Sequence, residues 1–211
     1  AGADDPESLE DARRNAPLTV LTLDRAVSLQ DYEDFASAFG GIAKAFSTWT
    51  WDKQTRRVLL TVAGPNGLSV DPTTSDYLLK ALQAAGDPFV NVQVKSYRPA
   101  FFKLAGTLIV SPDALPDRVL ATVEQVLRTQ FSFDARAFGQ PVMLSEVIAA
   151  IQNVAGVVAV DLDKLHRADA PPTLQPRLLA ALPETGGDGD VASAELLTLD
   201  PAPLDQLGAR S

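Results

Sequence analysis

The chain has one histidine, His166, and no cysteine in 211 residues. Acyl-transfer chemistry on His166 would need a serine or cysteine nucleophile and an orienting acid, three groups placed together. The pattern puts no such partner near it; its neighbours are Lys164 and Arg167. It reads as a solvated loop residue just past a strand. One histidine without a thiolate is a poor basis for zinc. Carboxylates are the other source of acid–base chemistry. Asp161 and Asp163 stand at i and i+2, so on a strand they share a face. Such a pair could act as glycosidase groups or hold calcium; the preferred reading is an ordinary polar strand face. The run Asp4, Asp5, Glu7, Glu10, Asp11 lacks the glycine and terminal glutamate of a calcium loop and reads as a solvated helix start. Neither Gly64-Pro65-Asn66-Gly67 nor Gly186-Gly187-Asp188-Gly189 continues as a phosphate-binding loop. The nucleophile-elbow and zincin motifs are absent. No catalytic, cofactor or metal site is assigned, and no cofactor is expected.

The aromatic residues say more. Trp49 and Trp51 are two apart and share a strand face. That face suits core packing, a protein interface or a carbohydrate platform, because tryptophan is enriched at binding hot spots. Tyr97, Phe101 and Phe102, around Pro99, are ambiguous in the same way. These five are the candidate interface residues.

Composition narrows the partners. With 46% hydrophobic and 21% charged residues the chain resembles ordinary globular proteins. A net charge of −9, with basic residues in isolated pairs such as Arg13–Arg14 and Arg56–Arg57, argues against nucleic acid. No apolar run approaches the roughly 20 residues of a membrane span. The chain begins at Ala1 inside an acidic helical pattern, so a fragment of a longer protein is expected.

The elements that would position these residues follow from periodicity. Residues 1–17 read as a helix and linker, closed by Pro17. Leu18 to Leu23 is a short strand. Ser28 and Asp31 form a capping box before a helix with Leu29, Tyr32, Phe35 and Phe39 on one face, stopped by Gly40–Gly41. Ile42 to Trp51 and Arg57 to Ala63 alternate as a hairpin. Asp71-Pro72 starts a second helix, with Leu78, Leu79 and Leu82 inward, followed by a strand at Val90, Val92 and Val94. After a break at Arg98-Pro99 come a strand, Phe102 to Val110; a helix with Val119, Val123 and Leu127; a helix over Met143 to Val154; and a strand at Val158, Val160 and Leu162. Arg167 to Ala194, rich in proline and glycine, reads as an insertion whose deletion leaves a folded protein. Glu195 to Leu199 returns as a strand, expected to pair with Val158 to Leu162. Residues 201–211 read as a loose tail.

The expected fold is therefore α+β in two small modules with mixed or antiparallel sheets: residues 18–98, ferredoxin-like βαββαβ, and residues 99–200, βααββ with the 167–194 insertion.

Several stretches, in order, resemble the C-terminal half of baseplate J-like proteins. They are Glu7-Ser-Leu-Glu-Asp-Ala-Arg-Arg-Asn-Ala-Pro, Asp24-Arg-Ala-Val-Ser-Leu-Gln-Asp-Tyr-Glu-Asp-Phe, and Gly41-Ile-Ala-Lys-Ala before the tryptophan strand. Phe131-Ser-Phe, Phe138-Gly-Gln, Ser145-Glu-Val-Ile and Gly156-Val-Val-Ala-Val-Asp continue the likeness, which runs from about Glu7 to Leu199. The resemblance implies a structural wedge protein of a contractile phage tail or injection system, without catalytic residues. Its implied partners are other baseplate wedge proteins and copies of itself in a six-fold plate around the spike and hub. Its implied location is the assembled particle, made in a bacterial cytoplasm and in some systems released. Two other classes remain: a glycan- or small-molecule-binding module on the Trp49–Trp51 face, and a carboxylate hydrolase on Asp161 and Asp163.

Overall fold

A computed structural model describes residues 27–52, 55–184 and 191–210. The expected helix at 6–14 and strand at 18–23 lie outside them. The chain divides into two compact units, one from residue 1 to Tyr97 with Pro183–Ser193, the other Arg98–Leu182 with residues 194–211. Both combine helices with mixed sheets, so the fold is α+β.

In the first unit, helix α1 (Leu29–Ser37) precedes the hairpin β1 (Lys44–Asp52) and β2 (Thr55–Ala63); helix α2 (Pro72–Ala85) then leads to β3 (Asn91–Ser96). The caps form as their residue types require. Ser28 N donates to Asp31 Oδ2 at 2.8 Å while Asp31 N donates to Ser28 Oγ at 3.2 Å. Asp71 accepts from Thr74 N at 3.0 Å, with Pro72 at the first helical position. Such caps contribute about 1 kcal/mol each.

The sheet order is β1-β2-β3, with β2 and β3 parallel across the α2 crossover. This corrects the ferredoxin-like expectation. That plait separates these two strands by its first strand, whereas here Arg57 to Val62 pair directly with Asn91 to Ser96. Tyr32, Ala36, Leu78 and Leu82 from the helices pack on Val58, Leu60, Val62 and Val92. Ser47 ties α1 to β1, its N–H donating to Glu33 Oε1 at 2.7 Å and its hydroxyl to Leu29 O at 2.9 Å. Leu59 and Thr61, on the other face of β2, are also fully buried. On that face Lys95 Nζ donates to Val191 O at 2.8 Å.

The second unit is built on one long strand, β4 (Arg98–Val110). Helix α3 (Pro116–Gln130), short β5 (Val142–Met143), helix α4 (Leu144–Gln152), β6 (Val157–Arg167), β7 (Arg177–Leu178), β8 (Glu195–Leu199) and β9 (Leu207–Arg210) follow. β6 pairs antiparallel along one edge of β4, while β8 and then β9 pair parallel along the other. The expected hairpin of 195–199 with 158–162 is thus corrected: β4 lies between β6 and β8. The tail is corrected too, since Leu207 is buried and 207–210 form a strand. The 167–194 segment is no simple insertion, because Leu178 and Ala180 belong to the core. β4 also starts at Arg98-Pro99, where a break was expected. Pro99 sits beyond the end of β6, so its missing N–H costs no ladder bond.

Val119, Val123 and Leu127 of α3 and Val147 and Ile151 of α4 cover one sheet face, packing on Phe102, Leu104, Leu108 and Leu165. Phe102 meets Phe131 edge-to-face at 5.2 Å and 80°. The phenylalanine-rich connection from 131 to 141 is held from inside by Arg136, only 2% exposed. Arg136 pairs with Glu146 at 2.8 Å and donates to Pro141 O at 2.5 Å.

Arg167 and Glu195 fasten the ends of β6 and β8. Arg167 donates to Glu195 Oε2 at 2.8 Å, to Asp169 Oδ1 and Oδ2 at 2.9 Å each, and to Leu179 O at 2.8 Å. Glu195 Oε2 also accepts from Ala181 N at 2.9 Å. Burial alone would raise the Glu195 carboxyl, but the Arg167 and Ala181 hydrogen bonds and the nearby guanidinium charges outweigh it and hold its pKa below the usual glutamate range. A lowered folded-state pKa gives stability that is complete above the unfolded value, about 4.3, and lost as pH falls through the folded one. Glu195→Gln should therefore lower the melting temperature at pH 7, with the deficit shrinking as pH falls below about 4.3. A deficit independent of pH would refute the ionised staple.

Gly106 faces a β-bulge, where Asp163 of β6 has no partner on β4. A Cβ there would lie 2.8 Å from Leu162 Cα and press on the Asp161 carbonyl. Gly106→Ala should cost about 1–3 kcal/mol, read as a lower urea midpoint at unchanged slope.

Candidate functional site

The structure separates the five candidate residues. Trp49 and Trp51 are on β1; Tyr97 closes the first unit; Phe101 and Phe102 are on β4. Two of the five are corrected from interface to interior. Tyr97 is 8% exposed and its hydroxyl donates to Gly67 O at 2.6 Å; burial raises its pKa. Phe102 is fully buried against Phe131, whereas Phe101, pointing to the opposite sheet face, is 38% exposed. Alternation along β4 explains the split between these neighbours.

The tryptophans share a face, but their environments differ. Trp49 is half-buried on the first unit's core, and Arg56 lies over its ring at 4.0 Å. A guanidinium so placed attracts the ring electrostatically and occupies the surface a sugar would stack on. Trp51, opposite Arg56 in register, is 59% exposed. The pair is therefore no two-ring carbohydrate platform: one ring is covered and one presented.

Sequence reading missed Phe89, which is 93% exposed. It precedes β3, whose Asn91 is level with Arg57 at the start of β2. β1 ends at the same level, at Trp51 and Asp52. Trp51 and Phe89 therefore stand at one end of the three-stranded sheet, opposite the end where Ser96 leads out of β3. The loop that carries Phe89 is ordered by its own Asp87, whose Oδ1 accepts from Phe89 N at 2.9 Å. Phe89 has no periodic partner in sequence, and exposure of a loop aromatic leaves no pattern to read. Two exposed aromatic side chains at one end of a sheet, one of them opposite Arg56 in register, bring together residue types that are enriched in binding hot spots.

The expected chemical groups are placed as follows. His166 is corrected from a solvated loop to strand β6, where it is 9% exposed. Its Nδ1 lies 2.8 Å from Arg167 O. Asp161 and Asp163 are exposed on β6. Among the described residues no three histidine, cysteine or acidic side chains gather as a metal site, and no helix is long and apolar enough to cross a membrane.

Residues 24–95 match the family model of the baseplate J-like central domain. No curated protein matches the chain. Among solved structures, the chain is similar to one in the cryo-EM structure of the anti-feeding prophage baseplate, six-fold symmetrised, with a TM-score of 0.61 and 11% identity. The likeness covers 91% of this chain and 42% of that one, so this chain spans less than half the length of its structural neighbour. At that identity the likeness is one of fold. Acrylamide quenching should tell the tryptophans apart: fluorescence of the Trp49→Phe variant, which retains Trp51, should be quenched strongly, and that of Trp51→Phe weakly. Equal quenching would contradict the Arg56 cover. The likeness to the baseplate J-like central domain is thus carried by residues 24–95, the segment that holds Trp49, Trp51 and Phe89.

Proposed function

We propose that the chain is a structural component of the baseplate of a contractile injection system or phage tail, a wedge protein that works through protein–protein contacts and without catalysis. The observation that carries this reading is the fold likeness to an anti-feeding prophage baseplate chain over 91% of the present chain, joined to the baseplate J-like central domain at 24–95. On this reading its partners are other wedge proteins and further copies of itself, arranged around a spike and hub and connected to the sheath. It resides in the assembled particle after synthesis in a bacterial cytoplasm.

The exposed pair Trp51 and Phe89 is the proposed contact of the first unit with another baseplate polypeptide. Two large apolar side chains presented to water gain by burial in a partner, at about 25 cal/mol per Å² of apolar surface removed from water. Trp51 stands in strand β1 and the Phe89 backbone is tied to Asp87, so little ordering entropy opposes binding. Phe101, less exposed than either, is a secondary candidate on the second unit.

The test is affinity purification from the native producing cells through a tag on the full-length protein, with mass spectrometry of what accompanies it. Sheath, tube and plate proteins should co-purify with the natural sequence. They should be reduced at least tenfold with Trp51→Ser/Phe89→Ser, whose melting temperature should stay within about 2 °C of the natural one because neither ring is in the core. A chain that purifies alone would overturn the baseplate reading. Retention of all partners by the double variant would overturn only the assigned contact.

A further inference from the structure

β8 and β9 lie end to end along one edge of β4, with a gap between them. β8 pairs with Arg98 to Phe102 and β9 with Gly106 to Ile109. The ladder closes on either side of the gap: Asp200 N donates to Phe102 O at 2.9 Å and Gly106 N to Gln206 O at 3.0 Å. Phe101 O accepts from Ala168 N, on the β6 side. Odd-numbered residues of β4 therefore turn their peptide groups to β6, and even-numbered ones to β8 and β9. The bulge lies on β6, so this alternation is unbroken along β4. The N–H and C=O of Leu104 consequently point into the gap, where no strand meets them.

The 200–206 connection does not fill this space, because it is drawn toward the helices. Arg128 of α3 donates to Ala202 O at 2.8 Å and to Asp200 O at 3.3 Å. Between that connection and the sheet edge a pocket of about 370 Å³ is left, lined by Lys103, Leu104, Lys164, His166, Asp200 and Pro172 among others. Lys103 and His166 are opposite each other in register, and Lys164 is opposite Ala105. Lys103 is partly neutralised by Asp200, 3.6 Å away, whose other oxygen accepts from Ala202 N at 2.8 Å. Asp205 is exposed at the rim. Lys164 has no ion pair among the described residues. The Arg167 carbonyl can only accept, so His166 Nδ1 carries the hydrogen and Nε2 is the ring's open position.

The pocket thus presents one backbone donor and one backbone acceptor at strand spacing, an uncompensated ammonium, and apolar walls from Pro172 and Leu204. A strand edge of this kind binds extended peptide by main-chain hydrogen bonds, with side-chain pockets for selection. We propose that the gap in the β4 ladder is a binding site for an extended peptide segment bearing an acidic side chain: one residue pairs with Leu104, and an adjacent carboxylate meets Lys164. The assignment rests on the site's own groups and stands apart from the baseplate reading.

The test uses the full-length chain labelled with nitrogen-15. The probes are a blocked five-residue peptide alternating valine and glutamate, its glutamine counterpart, and sodium succinate. The glutamate peptide should shift the Leu104 amide saturably and slow its hydrogen exchange, which without peptide should be faster than that of Phe102 or Leu108. Binding should weaken about tenfold for the glutamine peptide and for Lys164→Gln, a half-exposed substitution that leaves the core untouched. Three results would each overturn the proposal: a Leu104 amide already as protected as its neighbours, no saturable shift with the glutamate peptide, or succinate alone reproducing the full effect, which would mark a small-anion site instead.

Discussion

Pairing of β4 along both edges is the constraint on which the second unit depends. A strand of 13 residues carries backbone donors and acceptors on two sides, and each buried group left unpaired costs free energy comparable to a lost hydrogen bond. β6 satisfies one side from Phe102 to Val110, at the cost of a bulge that only a glycine at position 106 allows. The other side is met by two short strands from the end of the chain, which explains why residues 195–210 fold back instead of trailing. The helices then have a single face on which to bury their apolar stripes. Arg167 and Glu195 hold the two flanking strands in place where β6 and β8 reach their ends. The same arrangement produces the one interruption in the ladder, at Leu104.

The first unit solves a similar problem with fewer pieces. β2 is buried on both faces and paired on both edges, by the antiparallel β1 and by β3 through the α2 crossover. Its core lies on the helix side, and the two aromatic rings at the sheet's end contribute nothing to it. Surface of that kind is costly to leave in water unless something covers it. Under the proposed baseplate role, a second polypeptide is the natural cover.

Local chemistry was legible and long-range pairing was not. The Ser28–Asp31 and Asp71–Pro72 caps, the alternation around Trp49, and the helical stripes at Leu78, Val119 and Val147 are short-range signals, and each produced the element it implies. The partner of 195–199 carries no such signal. Hydrophobic alternation states that a strand has a buried face but not which strand lies beside it, and a neighbour in sequence order was the wrong inference. Leu207 to Arg210 is too short and too mixed to read as a strand, and it becomes one only because β4 offers an edge. The same applies at the candidate site. Tyr97 and Phe102 have the residue type of interface anchors but are directed inward by alternation and by the Gly67 carbonyl. His166 is in a strand because β6 extends past the bulge. Phe89 is informative only once its exposure is seen.

What joins these features is a chain with poor chemical equipment and well-supported surfaces. Arg167 and Glu195 fasten strands, Arg136 fastens the 131–141 connection to α4, and Trp51 and Phe89 stand exposed at one end of a sheet. That is the physical profile of a part in an assembly. The most direct measurement is negative-stain imaging of the native complex, with a gold label on a tag at this chain. The account predicts sheathed tubes with label confined to the plate at one end. A small particle with no tube or sheath, or label distributed along the sheath, would contradict it.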